Sequence, residues 1–86
     1  MTEFNVYIID DDPDVLDSIA YLLRTSGYVV KPFNSVFSFL ESNDLETPGC
    51  VLIDLIMPEI SGIEAMQLLD KRQIRFPVII MSAYGD

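Results

Sequence analysis

Apolar and polar positions follow two alternating rhythms along this chain. Val6-Tyr7-Ile8-Ile9, Cys50-Val51-Leu52-Ile53 and Val78-Ile79-Ile80-Met81 run without polar interruption. Short continuous runs of this kind read as strands buried on both faces. Strands are expected at 4–9, 50–54 and 78–81, with a further one at 28–33, where Pro32 suits a sheet edge. Between them apolar residues recur at helical spacing. Val15, Leu16, Ile19, Leu22 and Leu23 form one such stripe, and Ile63, Met66, Leu68 and Leu69 another over 62–72. Asp12 is a natural N-cap with Pro13 at the first helical position, and Ser26-Gly27 ends that helix. Ser35 can cap a short helix carrying Val36, Phe37, Phe39 and Leu40, and Pro48-Gly49 marks the turn of a polar loop over 43–49.

Strands alternating with amphipathic helices predict an α/β domain with a parallel sheet covered on both faces. In such sheets ligands bind beyond the carboxyl ends of the strands, where strand order reverses. Two of the runs end on carboxylates. Ile9 leads into Asp10-Asp11-Asp12, and Ile53 leads into Asp54. A carboxylate is costly to hide without a partner, so each should emerge at its strand's tip. Side by side, the two strands would bring Asp10, Asp11 and Asp54 together. Like charges so close need a cation, and magnesium, a hard ion held by few carboxylates, fits that need. Ser82 falls at the end of the fourth strand and joins the same edge.

Taken alone, the acidic tripeptide suits a solvated loop before a helix, where Asp complements the macrodipole; it is the coincidence with Asp54 and Ser82 at matching strand ends that points to a site. An EF-hand loop is excluded, because its sixth and twelfth positions hold Val15 and Tyr21 instead of Gly and Glu. Asp10 and Asp12 have the spacing of an aspartate-nucleophile phosphatase, but Pro13 follows them and no suitable Lys lies downstream.

Length and composition narrow the remaining choices. Eighty-six residues make one small domain, and 50% apolar content argues against disorder. A net charge of −9 with five Lys and Arg cannot form a phosphate-tracking stripe, so nucleic acid is not expected as a direct partner. Cys50 is the single cysteine and histidine is absent, which leaves no Cys or His metal cluster. No apolar run approaches the ~20 residues of a membrane helix, and no basic leader precedes the first strand. A cytoplasmic location is expected.

The pair Asp10-Asp11, the run Asp54-Leu55-Ile56-Met57-Pro58 with Gly62, and Ser82-Ala83 together carry a resemblance that spans the chain. It resembles the receiver domain of bacterial two-component response regulators, and its last residues are similar to members with a LuxR-type helix-turn-helix output. That resemblance implies a flavodoxin-like doubly wound sheet of order 2-1-3-4. It also implies a domain over residues 1–86 that is incomplete, with three β/α units and the fourth strand in place of five units. It makes Asp54 the acceptor of a phosphoryl group from a sensor histidine kinase, a signalling role and not that of a turnover enzyme. Mg²⁺ would be held by Asp11, Asp54 and the Ile56 backbone carbonyl, with Asp10 acting through water. The Ser82 hydroxyl would hydrogen-bond the phosphoryl group. The family's phosphoryl-binding Lys and its switch aromatic belong to the fifth unit; Lys31 and Tyr84 are not placed to replace them. Two further expectations follow: homo-oligomerisation through the apolar edge of the fourth strand, and slow hydrolysis because Ile56 and Tyr84 are bulky. An alternative is a receiver fragment that works as an unphosphorylated interaction module.

Overall fold

Four parallel strands form one sheet in the order β2-β1-β3-β4, in a computed structural model that describes residues 4–42 and 47–81. In chain order the elements are β1 (Asn5–Ile9), α1 (Pro13–Thr25), β2 (Val29–Phe33), α2 (Val36–Leu40), β3 (Gly49–Asp54), α3 (Gly62–Lys71) and β4 (Val78–Met81). The order and the doubly wound layering are those expected from the sequence. Pro32 lies on edge strand β2, where its missing N–H disturbs no ladder.

β1 is buried along its whole length, because it is interior in the sheet and its alternate side chains feed two cores. Tyr7 and Ile9 join Val51 and Ile53 beneath α2 and α3, packed with Val36, Phe39, Ala65 and Leu69. Val6, Ile8 and Val30 face the other way, onto Leu16 and Ala20 of α1. The larger core is aromatic at its centre, with Tyr7 stacked on Phe76 and edge-on to Phe39 at 5.4 Å. The buried Tyr7 hydroxyl donates to the Thr47 carbonyl at 2.9 Å and accepts from Asn5 Nδ2 at 3.2 Å, so the phenol's polar atom is not left unpaired.

The helical stripes differ in detail from the sequence reading. Leu16 and Ala20 are the buried residues of α1, whereas Val15 and Leu22 are exposed. In α3 the buried residues are Gly62, Ala65 and Leu69, whereas Ile63 and Met66 stand at the surface. Phe37 is exposed as well. Leu16, Ile19 and Leu23 of α1 and Leu68 and Leu69 of α3 face the cores as the stripes predict, and the alanines Ala20 and Ala65 join them where the outer stripe members do not.

Helix ends carry clear local signals. Asp12 accepts from the N–H groups of Asp14 and Val15, and Ser61 forms a capping box with Glu64. α1 and α3 close in the same manner. The Tyr28 and Ile74 N–H groups reach back to Leu23 and Leu69, while those of Gly27 and Gln73 reach Arg24 and Asp70. The left-handed position is glycine in the first case, with φ 97°, and Gln73 in the second, with φ 63°. Gly49 belongs to β3 opposite Asn5 and not to a turn; a Cβ there would collide with the Asn5 carbonyl.

Candidate functional site

Chain order reverses between β1 and β3: β2 lies on one side of β1, and β3 and β4 on the other. A crevice therefore opens at the carboxyl ends of β1 and β3. In the parallel register Ile9 pairs with Ile53, so Asp10 and Asp54 leave the sheet at the same level.

Adjacent side chains on a strand point apart, and the backbone must turn for Asp10 and Asp11 to share a site. It does so here. The Asp10 N–H donates to the Phe33 carbonyl at 3.1 Å, which ties the end of β1 to the end of β2. The Asp12 N–H then donates back to Asp10 Oδ1 at 2.9 Å, an Asx turn that bends the chain into α1. One oxygen each from Asp10, Asp11 and Asp54 lies within 4.8 Å of the others. Asp10 is the most hidden, 4% exposed, with Asp54 at 9% and Asp11 at the surface.

Burial pushes the Asp10 carboxyl above the ordinary carboxylate range, the Asp12 N–H partly opposes this, and the charges of Asp54, Asp11 and Asp12 add to it. Three carboxylates thus sit close together, and none of them has an ion pair among the described residues. An all-oxygen, acidic donor set of this kind fits a hard divalent cation that keeps open positions for other oxygen ligands. The residues present fit magnesium.

The β3–α3 segment completes one wall. Gly62 N–H donates to the Leu55 carbonyl at 2.8 Å, and a Cβ on Gly62 would stand 3.0 Å from the Asp54 carbonyl oxygen. Glycine thus brings the start of α3 against the end of β3. The Ile56 N–H approaches Asp54 Oδ1 at 3.5 Å, a long contact, and the Ile56 side chain is exposed. Ser82 and Tyr84 lie outside the described residues. Lys31 pairs in register with Tyr7 in mid-strand, two residues short of the level of Ile9.

A family model for the response regulator receiver domain matches residues 6–86. The chain belongs to that family. The receiver domain is 38% identical over 81 residues to the transcriptional regulatory protein TdiR of Thauera aromatica, covering 94% of this chain and 36% of that protein. It is 36% identical over 85 residues to the transcriptional regulatory protein FixJ of Bradyrhizobium diazoefficiens, covering 99% of this chain and 42% of that protein. The chain spans about two-fifths of these relatives' length. Among solved structures, FixJ-N superposes with a TM-score of 0.88 at 34% identity, over 100% of this chain and 69% of that one. TrrA of Thermotoga maritima, solved in complex with Mg²⁺-BeF, shares the fold with a TM-score of 0.79 at 23% identity, over 99% of this chain and 72% of that one.

Of the expected site residues, Asp10, Asp11 and Asp54 are brought together by the fold. The sequence reading missed a groove beside them, lined by Asn34–Phe37, Met57–Ile60 and Asp11. No periodicity announces it, because two loops that are distant in sequence make it. It also missed the Ser61–Glu64 capping box, although the Ser-x-x-Glu spacing was legible.

Proposed function

We propose that this receiver domain accepts a phosphoryl group on Asp54 from a phosphohistidine of a sensor kinase, in the cytoplasm, as one step of a two-component relay. The convergence of Asp10, Asp11 and Asp54 at the carboxyl ends of β1 and β3 carries this reading. Asp11 and Asp54 would hold Mg²⁺ with the Ile56 carbonyl, and Asp10 would act through a water. When bound, the cation supplies the positive charge that lets an anionic nucleophile and an anionic phosphoryl group approach each other.

The chain's own contribution is positioning. Asp54 presents a carboxylate oxygen at a rigid strand end. That oxygen forms the new bond to phosphorus as the bond from phosphorus to the imidazole nitrogen breaks, and the imidazole leaves. In-line placement and charge compensation are what phosphoryl transfer demands. The Ser82 hydroxyl is the group proposed to hydrogen-bond the product. The domain is a signalling module, and any phosphorylation from a small donor, or loss of the group to water, is its own slow chemistry.

The test is modification by acetyl phosphate with Mg²⁺, read by intact mass, together with the NMR response to beryllofluoride. A phosphoryl adduct absent from Asp54→Asn is expected. Equal labelling of the variant would defeat the assignment.

A second reading rests on β4. The Val51 and Leu55 N–H groups donate to the Pro77 and Met81 carbonyls, so the backbone groups of Val78 and Ile80 face away from β3. Ile79 is 53% exposed. Such an edge is a template for pairing, and the 86-residue chain is proposed to self-associate through it. Sedimentation at micromolar concentration checks this, and a monomeric mass rejects it.

A further inference from the structure

Of the three consecutive aspartates after β1, Asp10 and Asp11 belong to the acid cluster with Asp54, and Asp12 does not. Asp12 is exposed, and its carboxylate is engaged with α1 instead. Its Oδ1 accepts from the Asp14 N–H at 2.9 Å and, at the long distance of 3.5 Å, from the Val15 N–H. A third negative charge beside the pair adds to the repulsion on Asp10. An aspartate at this position therefore needs a reason other than its charge.

The reason lies in how short the connection is. β1 ends at Ile9 and α1 begins at Pro13, so three residues carry the chain from strand to helix and bring two neighbouring carboxylates to one site. Both ends of this link are anchored. On the strand side the Asp10 N–H donates to the Phe33 carbonyl at 3.1 Å. On the helix side Leu16 is buried in the core, and its N–H donates to the Asp12 carbonyl at 3.0 Å. Between the anchors the Asp12 N–H donates to Asp10 Oδ1 at 2.9 Å. Asp12 is thus held through its N–H, its carbonyl and its side chain at once. Pro13 confines it further to extended backbone, with φ −89° and ψ 112°.

We infer that Asp12 is a positioning residue for the acid site: its side-chain cap on α1 fixes the turn that holds Asp10 and Asp11 towards Asp54. The cap and the bond to Asp10 meet on one residue, so loosening the cap frees Asp12 and releases the Asp10 carboxylate with it. The position requires a cap acceptor and not a charge, and Asn would serve as well as Asp. The consequence for magnesium rests on the proposed metal site; the hold on the turn does not.

Magnesium titrations of the ¹⁵N-labelled chain test this, followed at the amides of residues 10 to 12 and of Leu55, well below the melting temperature of each variant. Asp12→Asn keeps the cap without the charge and should stay close to the parent affinity. Asp12→Ala keeps neither and should bind several-fold more weakly than Asp12→Asn. Asp12→Gly should lose as much affinity, although glycine as an N-cap costs the helix little, which keeps the test open if the alanine variant folds poorly. Gly27→Ala strains the other end of the same helix, where φ is 97°, and should leave the affinity unchanged. In metal-free buffer the residue-12 amide should be less protected from hydrogen exchange in Asp12→Ala and Asp12→Gly than in Asp12→Asn. Equal affinities in the Asn and Ala variants would overturn the inference, because Asp12 would then act by charge or not at all. An equal loss in Gly27→Ala would also overturn it, by reducing the effect to helix stability. A parent that binds no magnesium sinks the metal reading; the exchange difference then supports the hold on the turn, and its absence overturns it.

Discussion

Ile9 and Ile53 are direct partners in parallel strands, and this one pairing sets the level at which Asp10 and Asp54 emerge. A slip of one residue between β1 and β3 would turn one strand's side chains to the opposite face and separate the carboxylates. Core packing and site assembly are therefore the same event. Ile9 and Ile53 are fully buried in the larger core, so the register that satisfies the core also builds the site, at the cost of crowding like charges.

That crowding has a pH signature. The Asp10 carboxyl is raised above its ordinary value of 3.8, chiefly by burial, so the folded chain holds its proton more tightly than the unfolded chain. Stability from this group is complete below 3.8 and is lost as pH rises through the raised value. In metal-free buffer Asp10→Asn should be more stable than the parent near neutral pH, by no more than about 1 kcal/mol because water at Asp11 screens the cluster. The advantage should vanish in acid. Urea unfolding at the two pH values measures it.

Adding magnesium should stabilise the folded chain through the same carboxylates. At about ten times the dissociation constant the gain is roughly 1.4 kcal/mol, or about 6–11 °C in Tm for a domain of this size. Chelation should reverse it, and Asp54→Asn should abolish most of it. Thermal melts followed by circular dichroism, with Ca²⁺ as a second cation, provide the check.

Gly49→Ala should be among the most damaging small substitutions. The added methyl meets the Asn5 backbone across the β1–β3 ladder, where neither strand can retreat without opening the core. A loss of about 2–3 kcal/mol is expected, with Mg²⁺ affinity falling too, because the same ladder ends at the acid site. Denaturant midpoints and a magnesium titration would show whether the two losses move together.

Gln73→Gly should act in the opposite direction. Gln73 holds a left-handed conformation at the end of α3, where a side chain is strained and glycine is not. A gain of about 0.5–1 kcal/mol is expected, with no change at Asp54. An unchanged urea midpoint would contradict the cap assignment.

Ile56 projects into solvent two residues beyond Asp54, where a bulky apolar group can shield a phosphoryl group from water. Ile56→Asn should shorten the lifetime of the phosphorylated chain several-fold in Mg²⁺ buffer. Label loss followed by intact mass measures it, and equal lifetimes would remove the shielding role.

Strand positions, the Asp12, Pro13 and Ser35 helix starts, and the acid residues were all legible in the linear chain. Their signals are local: unbroken apolar runs, capping residues and carboxylates placed after β-branched stretches. The edge position of Pro32 was legible too, because a missing N–H constrains its own strand. The helix faces were legible only in part. Ala20 and Ala65 are buried while Leu22, Ile63 and Met66 are exposed, since close approach to a sheet selects for small size as well as apolarity.

Other features arise only when distant segments meet. Gly49 reads as a turn residue until Asn5 is placed opposite it, and Gln73 gives no sign of its left-handed backbone until α3 must close onto Ile74. The groove between Asn34–Phe37 and Met57–Ile60 joins segments about twenty residues apart. Local sequence specifies which chemical groups are available and which elements carry them. Strand order and register specify which of those groups share a space, because backbone pairing and core packing act over the whole chain at once.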